Sequence, residues 1–154
     1  MDFAEEQSWL CRQIVTRAHD AIIMADREGI IRLWNQGAET VFGFSPAEAL
    51  GQSLHIIIPE KLRERHAQGY DKVMASGQSK YARELLAVPA LRKDGSRVSV
   101  EFTLTLIQND PGQILGAAAI VRDVSARREK DRAVQLRLAA LEAQCKPQRK
   151  SGAD

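Results

Sequence analysis

Three histidines and two cysteines are the side chains of this 154-residue chain that bear most directly on ligand chemistry. His66 lies in the run Leu62-Arg-Glu-Arg-His66-Ala-Gln-Gly-Tyr70-Asp-Lys-Val73, where helical spacing puts Leu62, His66, Tyr70 or Gly69, and Val73 on one side. A neutral imidazole there offers a nitrogen lone pair to a metal, while its other N–H fixes the tautomer through an acceptor. The same ring can instead pack on the helix and bond a backbone carbonyl or a neighbouring side chain, so both roles stand at this point. His55 precedes an apolar run and is expected to pack; His19 sits at a helix end, where a cation complements the dipole. Cys11 and Cys145, one near each end, lack zinc-site spacing and are expected as reduced thiols on helix faces. No Gly-x-Ser-x-Gly, P-loop, His-Glu-x-x-His or dinucleotide fingerprint occurs, and the carboxylates are scattered among Lys and Arg as on a solvated surface. This inventory points to a binding module and not to an enzyme.

The elements that must position His66 follow from periodicity and punctuation. Ala4 to Ala18 sets Trp9, Leu10 and Ile14 on one side of an amphipathic helix. Ala21 to Ala25 and Ile30 to Trp34 are short apolar runs joined by Asp26-Arg-Glu-Gly29, a strand pair with a tight turn. Asn35 caps a helix containing Ala38, Val41 and Phe42, and Gly43 ends it. Ser45-Pro46-Ala47-Glu48 opens the next short helix with Ser as N-cap, Pro in the first position and Glu in the third. After Pro59, Glu60 to Ala75 reads as the longest internal helix, stopped by Ser76-Gly77. Lys80 to Leu91, Val98 to Ile107 and Ile114 to Val124 read as strands separated by the Lys93-Asp94-Gly95-Ser96 and Asn109-Asp-Pro-Gly112 turns. Pro89 forfeits a ladder donor and belongs on an edge or at a bulge. Five antiparallel strands with helices on one face make an α+β plan, with Trp34 in its core.

Beyond Ser125 the pattern becomes helical, and Val134, Leu138, Leu141 and Cys145 form a short 4-3-4 seam suited to a second helix. The chain therefore divides into an N-terminal helix (1–19), a domain (20–124), a C-terminal helix (125–146) and a polar tail (147–154). Trp9, Ile14, Val134, Leu138 and Leu141 are the expected contacts of a homodimer. From Arg127 to Lys150 there are eight Lys or Arg against three acids, which is read as a solvated helix face and not as a nucleic-acid site. No apolar stretch approaches the roughly 18 residues of a membrane span, and no secretion leader opens the chain. A cytoplasmic location is the expectation.

The order of these elements, together with Asp20-Ala-Ile-Ile-Met-Ala-Asp-Arg-Glu-Gly-Ile-Ile-Arg-Leu-Trp-Asn35, Phe42-Gly-Phe-Ser-Pro-Ala-Glu-Ala-Leu-Gly51 and Arg92-Lys-Asp-Gly-Ser96, resembles a PAS sensory domain. The resemblance implies a five-stranded antiparallel sheet, helices on one face enclosing a cavity, and signal transfer to the last helix at Asp123-Val124-Ser125. Photoactive flavin-binding and yellow-pigment relatives use a cysteine inside the cavity-forming segment, which this chain lacks there. Ile58 to Gly77 resembles the helix that supplies the proximal histidine in haem-binding PAS sensors of histidine kinases and cyclic-dinucleotide phosphodiesterases. There His66 matches the iron ligand, 28 residues before Asp94 without a gap. By the same comparison Lys72 and Lys80 fall near the haem propionates, Tyr81 offers a hydroxyl, and Leu86, Phe102, Leu104 and Ile120 form an apolar distal wall. Oxygen-sensing relatives carry an arginine at the position of Leu86. Arg83, three residues earlier, belongs to the opposite sheet face by strand alternation. Haem sensing of a diatomic gas or redox state, with CO or NO favoured over oxygen, is what the resemblance implies. A cofactor-free docking and dimerisation module, or a sensor of another small apolar ligand, is the alternative.

Overall fold

The computed structural model of the protein describes residues 2–79 and 85–145. Helix α1 (Phe3–Arg17) begins at a capping box in which Asp2 accepts from the Glu5 backbone and Glu5 accepts from that of Asp2. Strands β1 (Ala21–Asp26) and β2 (Ile31–Trp34) form a hairpin whose turn places Gly29 at φ 74°, a conformation cheap only for glycine. Helices α2 (Gln36–Phe42) and α3 (Pro46–Ala49) carry the caps their sequences announce, Asn35 and the Ser45/Glu48 box. Leu54–Ile57 turns as a short 3-10 helix before α4 (Glu60–Ser76). Strands β3 (Leu86–Leu91), β4 (Arg97–Gln108) and β5 (Ile114–Asp123) follow, and α5 (Ser125–Cys145) leaves the sheet.

All pairings are antiparallel, and the strand order is β2-β1-β5-β4-β3. The last strand in sequence therefore occupies the centre, and Pro89 lies on the edge strand β3 opposite Ser99, where its missing N–H is tolerated. Alternation sends Ala21, Ile23, Ala25, Val98, Val100, Ala117 and Val121 to the covered face, all buried. Phe42, Ile31 and Val98 are the largest fully buried side chains, each stabilising by about 1.5–3 kcal/mol on the burial scale. Trp34 is a core residue: it packs at 5.6 Å on Phe42 and its indole N–H donates to the Phe44 carbonyl at 2.9 Å. A second, smaller cluster joins Met74, Ile114 and Ala117 with Tyr70, Val73, Leu104 and Leu106. Among the described residues no helix is long and apolar enough to cross a membrane.

Candidate functional site

Helix α4 starts directly after Pro59, whose fixed φ sets the entry, and stops at Gly77 in the left-handed region, φ 67°. Leu62, His66, Tyr70, Val73 and Met74 recur at helical spacing on its inward side, each half-buried or buried. The C-terminal half is fastened to the sheet. Met74 and Val73 pack against the β5 residues Ile114 and Ala117, and the Tyr70 hydroxyl reaches the carbonyls of Asp26 at 2.6 Å and Ala25 at 3.0 Å. One turn earlier the His66 ring stacks on Tyr70, centroids 5.9 Å apart and planes 28° from parallel. No hydrogen bond engages the His66 ring among the described residues, so it is not the carbonyl-bonded helix histidine that the sequence also allowed. Burial holds its pKa below the ordinary value, and the nearby His55 adds to that effect, so the imidazole is neutral at pH 7. Burial, together with the carboxylates of Asp26 and Glu28, pushes the Tyr70 phenol up to about 12, against a smaller opposing backbone contact, so it stays a donor.

Facing α4 across the sheet, Leu86 pairs with Phe102 and Leu104 with Ala119, all on the covered face by register. These four remain half-buried although β5 is the central strand. An alanine there, flanked by Ile23 and Leu104, keeps accessible surface only if open space stands above it. The covered face is therefore incompletely filled beside Ala119.

The register puts Leu86, Phe102 and Leu104 on the covered face of the sheet, Leu104 in one cluster with Tyr70 and Val73 of α4, and corrects Ile120. That side chain pairs with Thr103 on the outer face and is 51% exposed, because its neighbours Ala119 and Val121 take the inward phase. Lys72 is exposed and off the inward side of α4. Lys80, Tyr81 and Arg83 lie outside the described residues. Trp9, Ile14, Val134, Leu138 and Leu141 are exposed on α1 and α5. Among the described residues no three His, Cys, Asp or Glu side chains converge as a metal cage.

Two connections join this region to the rest of the chain. Asn35, the one buried polar side chain among the described residues, accepts from the N–H groups of Ile22 and Ala38 and donates to the carbonyls of Val15, Ala18 and Asp20, tying α1, β1 and α2 together. At the sheet exit, Arg92 donates to the Val41 carbonyl at 3.1 Å and pairs with Asp123 at 2.9 Å. Asp123 accepts from the Ser125 N–H, and Ser99 of β4 holds both Val124 and the Ser125 hydroxyl. The start of α5 is thus bonded to β4, to the β3–β4 turn and, through Arg92, to α2.

A family model described as the PAS fold matches residues 15–129. The chain belongs to the PAS family. Over 125 residues it is 34% identical to an uncharacterized protein of Azorhizobium caulinodans, covering 80% of this chain and 17% of the relative. It is 31% identical over 98 residues to the sensor protein FixL of Bradyrhizobium diazoefficiens (64% of this chain, 19% of FixL). It is 28% identical over 119 residues to the signal transduction histidine-protein kinase AtoS of Escherichia coli K12 (77% and 18%). This PAS domain spans less than a fifth of the length of those relatives. Among solved structures it resembles the PAS domain of a Colwellia psychrerythraea protein, with TM-score 0.67, 24% identity and coverage of 81% of this chain and 99% of the other. It also resembles an RNA-binding light-oxygen-voltage receptor, with TM-score 0.70, 23% identity and coverage of 91% and 39%. At those identities the likeness is one of fold.

Sequence reasoning put His66 on the apolar side of α4 and missed its ring contact with Tyr70. Tyr70 stands four residues on, the spacing at which helical side chains meet, and that offset was the available signal. The carbonyls its hydroxyl reaches belong to β1, more than forty residues earlier, and no local pattern announces them.

Proposed function

We propose that this PAS domain is the sensory part of a signalling protein, acts without catalysis of its own, and binds haem through His66 to report a diatomic gas or redox state. The observation that supports this best is a neutral, half-buried imidazole on the inward side of α4, free of hydrogen bonds among the described residues, with Leu86, Phe102 and Leu104 on the covered face of the sheet. The donor set fits: one histidine supplies a lone pair, and Leu86, Phe102 and Leu104 offer the apolar surroundings a porphyrin face requires. Haem bound there would supply an iron centre that takes a diatomic gas or changes oxidation state. Leu86 and Phe102 present no hydrogen-bond donor, which favours CO or NO over oxygen. Any shift of Phe102 or Leu104 moves β4, and Ser99 of β4 is bonded to the first residues of α5. A ligand works this way only if it binds two arrangements of that junction with different affinity.

The test is the absorption spectrum of protein made with added haem precursor, before and after dithionite and CO. A Soret band that moves with CO and disappears in His66→Ala is the expected result. A haem-loaded His66→Ala protein with an unaltered spectrum overturns the assignment, and a featureless wild-type trace favours a cofactor-free module or a colourless apolar ligand. The second reading, a homodimerising or docking module, draws support from the exposed apolar side chains of α1 and α5. Truncation after Ser125 would then abolish self-association; a truncated protein that stays dimeric points to Trp9 and Ile14 on α1. A cytoplasmic location belongs to the same proposal.

A further inference from the structure

We infer that Tyr70 is the positioning residue for His66: its ring sets the plane of the imidazole, and its hydroxyl fixes that ring to the Asp26 and Ala25 carbonyls at the end of β1. Histidine has a broad second side-chain torsion, and a ring with no hydrogen bond has nothing polar to hold it in one orientation. Stacking on Tyr70 at 5.9 Å is the ring contact His66 makes among the described residues. Tyr70 is itself held at both ends. Its ring belongs to the cluster with Met74, Ile114 and Ala117, and its single hydroxyl proton is shared between carbonyls at 2.6 and 3.0 Å. The phenol thus carries the geometry of β1 to the imidazole one helical turn away. A tyrosine that merely fastened α4 to β1 would require the hydroxyl but not the stack. This inference deepens the proposed haem site and rests on that reading only for its haem measurement.

Two variants separate the parts. Tyr70→Phe keeps the ring and removes its anchor, whereas Tyr70→Leu removes both. In haem-free protein labelled on histidine, the ring-current displacement of the His66 C–H resonances should be present in the wild type, reduced in Tyr70→Phe and absent in Tyr70→Leu. In haem-loaded protein, the rate of haem loss to a scavenging apoglobin should rise roughly fivefold in Tyr70→Phe, as expected for one hydrogen bond. It should rise by about tenfold or more in Tyr70→Leu, where the ring contact goes too. Wild-type His66 resonances and haem loss in either variant overturn the inference; if Tyr70→Leu does not fold, Tyr70→Phe decides it alone. A wild-type protein that takes up no haem defeats the haem reading and leaves the histidine resonances to judge Tyr70.

Discussion

Replacing Asn35 with alanine removes five hydrogen bonds at one buried point, and its effect can be worked out bond by bond. The bond to the Ala38 N–H, 2.9 Å, is the N-cap of α2, and losing a cap of this kind costs about 1 kcal/mol. The bond to the Ile22 N–H, 2.8 Å, satisfies a β1 donor within the fold; leaving it unpaired costs about 1–3 kcal/mol. The amide also serves the Val15 and Asp20 carbonyls at 2.9 and 3.0 Å, and these keep the end of α1 on the domain. Together the loss should be about 3–5 kcal/mol, a large part of the roughly 5–15 kcal/mol a domain possesses. Urea unfolding followed by circular dichroism should show it, with the melting temperature down by about 10–15 °C. Asn35→Asp supplies an internal control. It keeps an oxygen for both N–H groups and turns a carboxylate toward three carbonyls, so burial and repulsion raise its folded pKa above the unfolded value near 3.9. The deficit of that variant should therefore be small in acid and grow as pH rises through that value. A loss below about 1 kcal/mol in Asn35→Ala would refute the idea that this side chain holds α1, β1 and α2 in place.

Gly116→Ala should lose at least about 2–3 kcal/mol, because the added methyl would stand 2.0 Å from the Ala25 carbonyl oxygen, a backbone atom that cannot give way. Gly69→Ala on α4, with nothing within 4 Å, should instead gain about 0.5–1 kcal/mol; both are read by thermal melting. Glu48, bonded to Lys93 and to Ser45, is lowered to about 2 from 4.5. Its contribution is complete above 4.5 and is lost as pH falls through about 2, so the difference in melting temperature between wild type and Glu48→Gln should close across that window. Arg92→Met removes the contacts to Val41 and Asp123, and amide hydrogen exchange in the first turns of α5 should accelerate several-fold while β1 and β5 stay protected; uniform protection in α5 would count against Arg92 as a link.

Much of the fold is legible because the chain punctuates itself with residues of narrow conformational use. Ser45-Pro46-Ala47-Glu48 can start a helix and do little else, Gly43 and Gly77 end helices with positive φ, and Pro89 could lie only where a ladder bond was dispensable. The phase of β5 is a different matter. Ala117-Ala118-Ala119-Ile120-Val121 has no polar alternation, so which residues face inward is decided by pairing with β1 and β4, and Ile120 was assigned to the wrong side for that reason. Asn35 reads as a cap from its local sequence, whereas its bonds to Val15 and Asp20 depend on how α1 returns to the domain. His66 is visible from helical spacing and from resemblance; its stack on Tyr70 and its freedom from hydrogen bonds among the described residues are products of packing.

The last helix has a mechanical property that follows from how it is attached. Its 21 residues extend about 31 Å, yet its ties to the domain lie near one end, at Val124, Ser125 and the Arg127–Glu101 pair. A rod clamped at one end multiplies rotation at the clamp. A tilt of about 5° where β5 gives way to α5 carries the far end roughly 3 Å, half the pitch of a helix. Motions of the sheet too small to disturb its hydrogen bonds are therefore large enough, at Leu138 and Leu141, to change which side chains a neighbouring helix would meet.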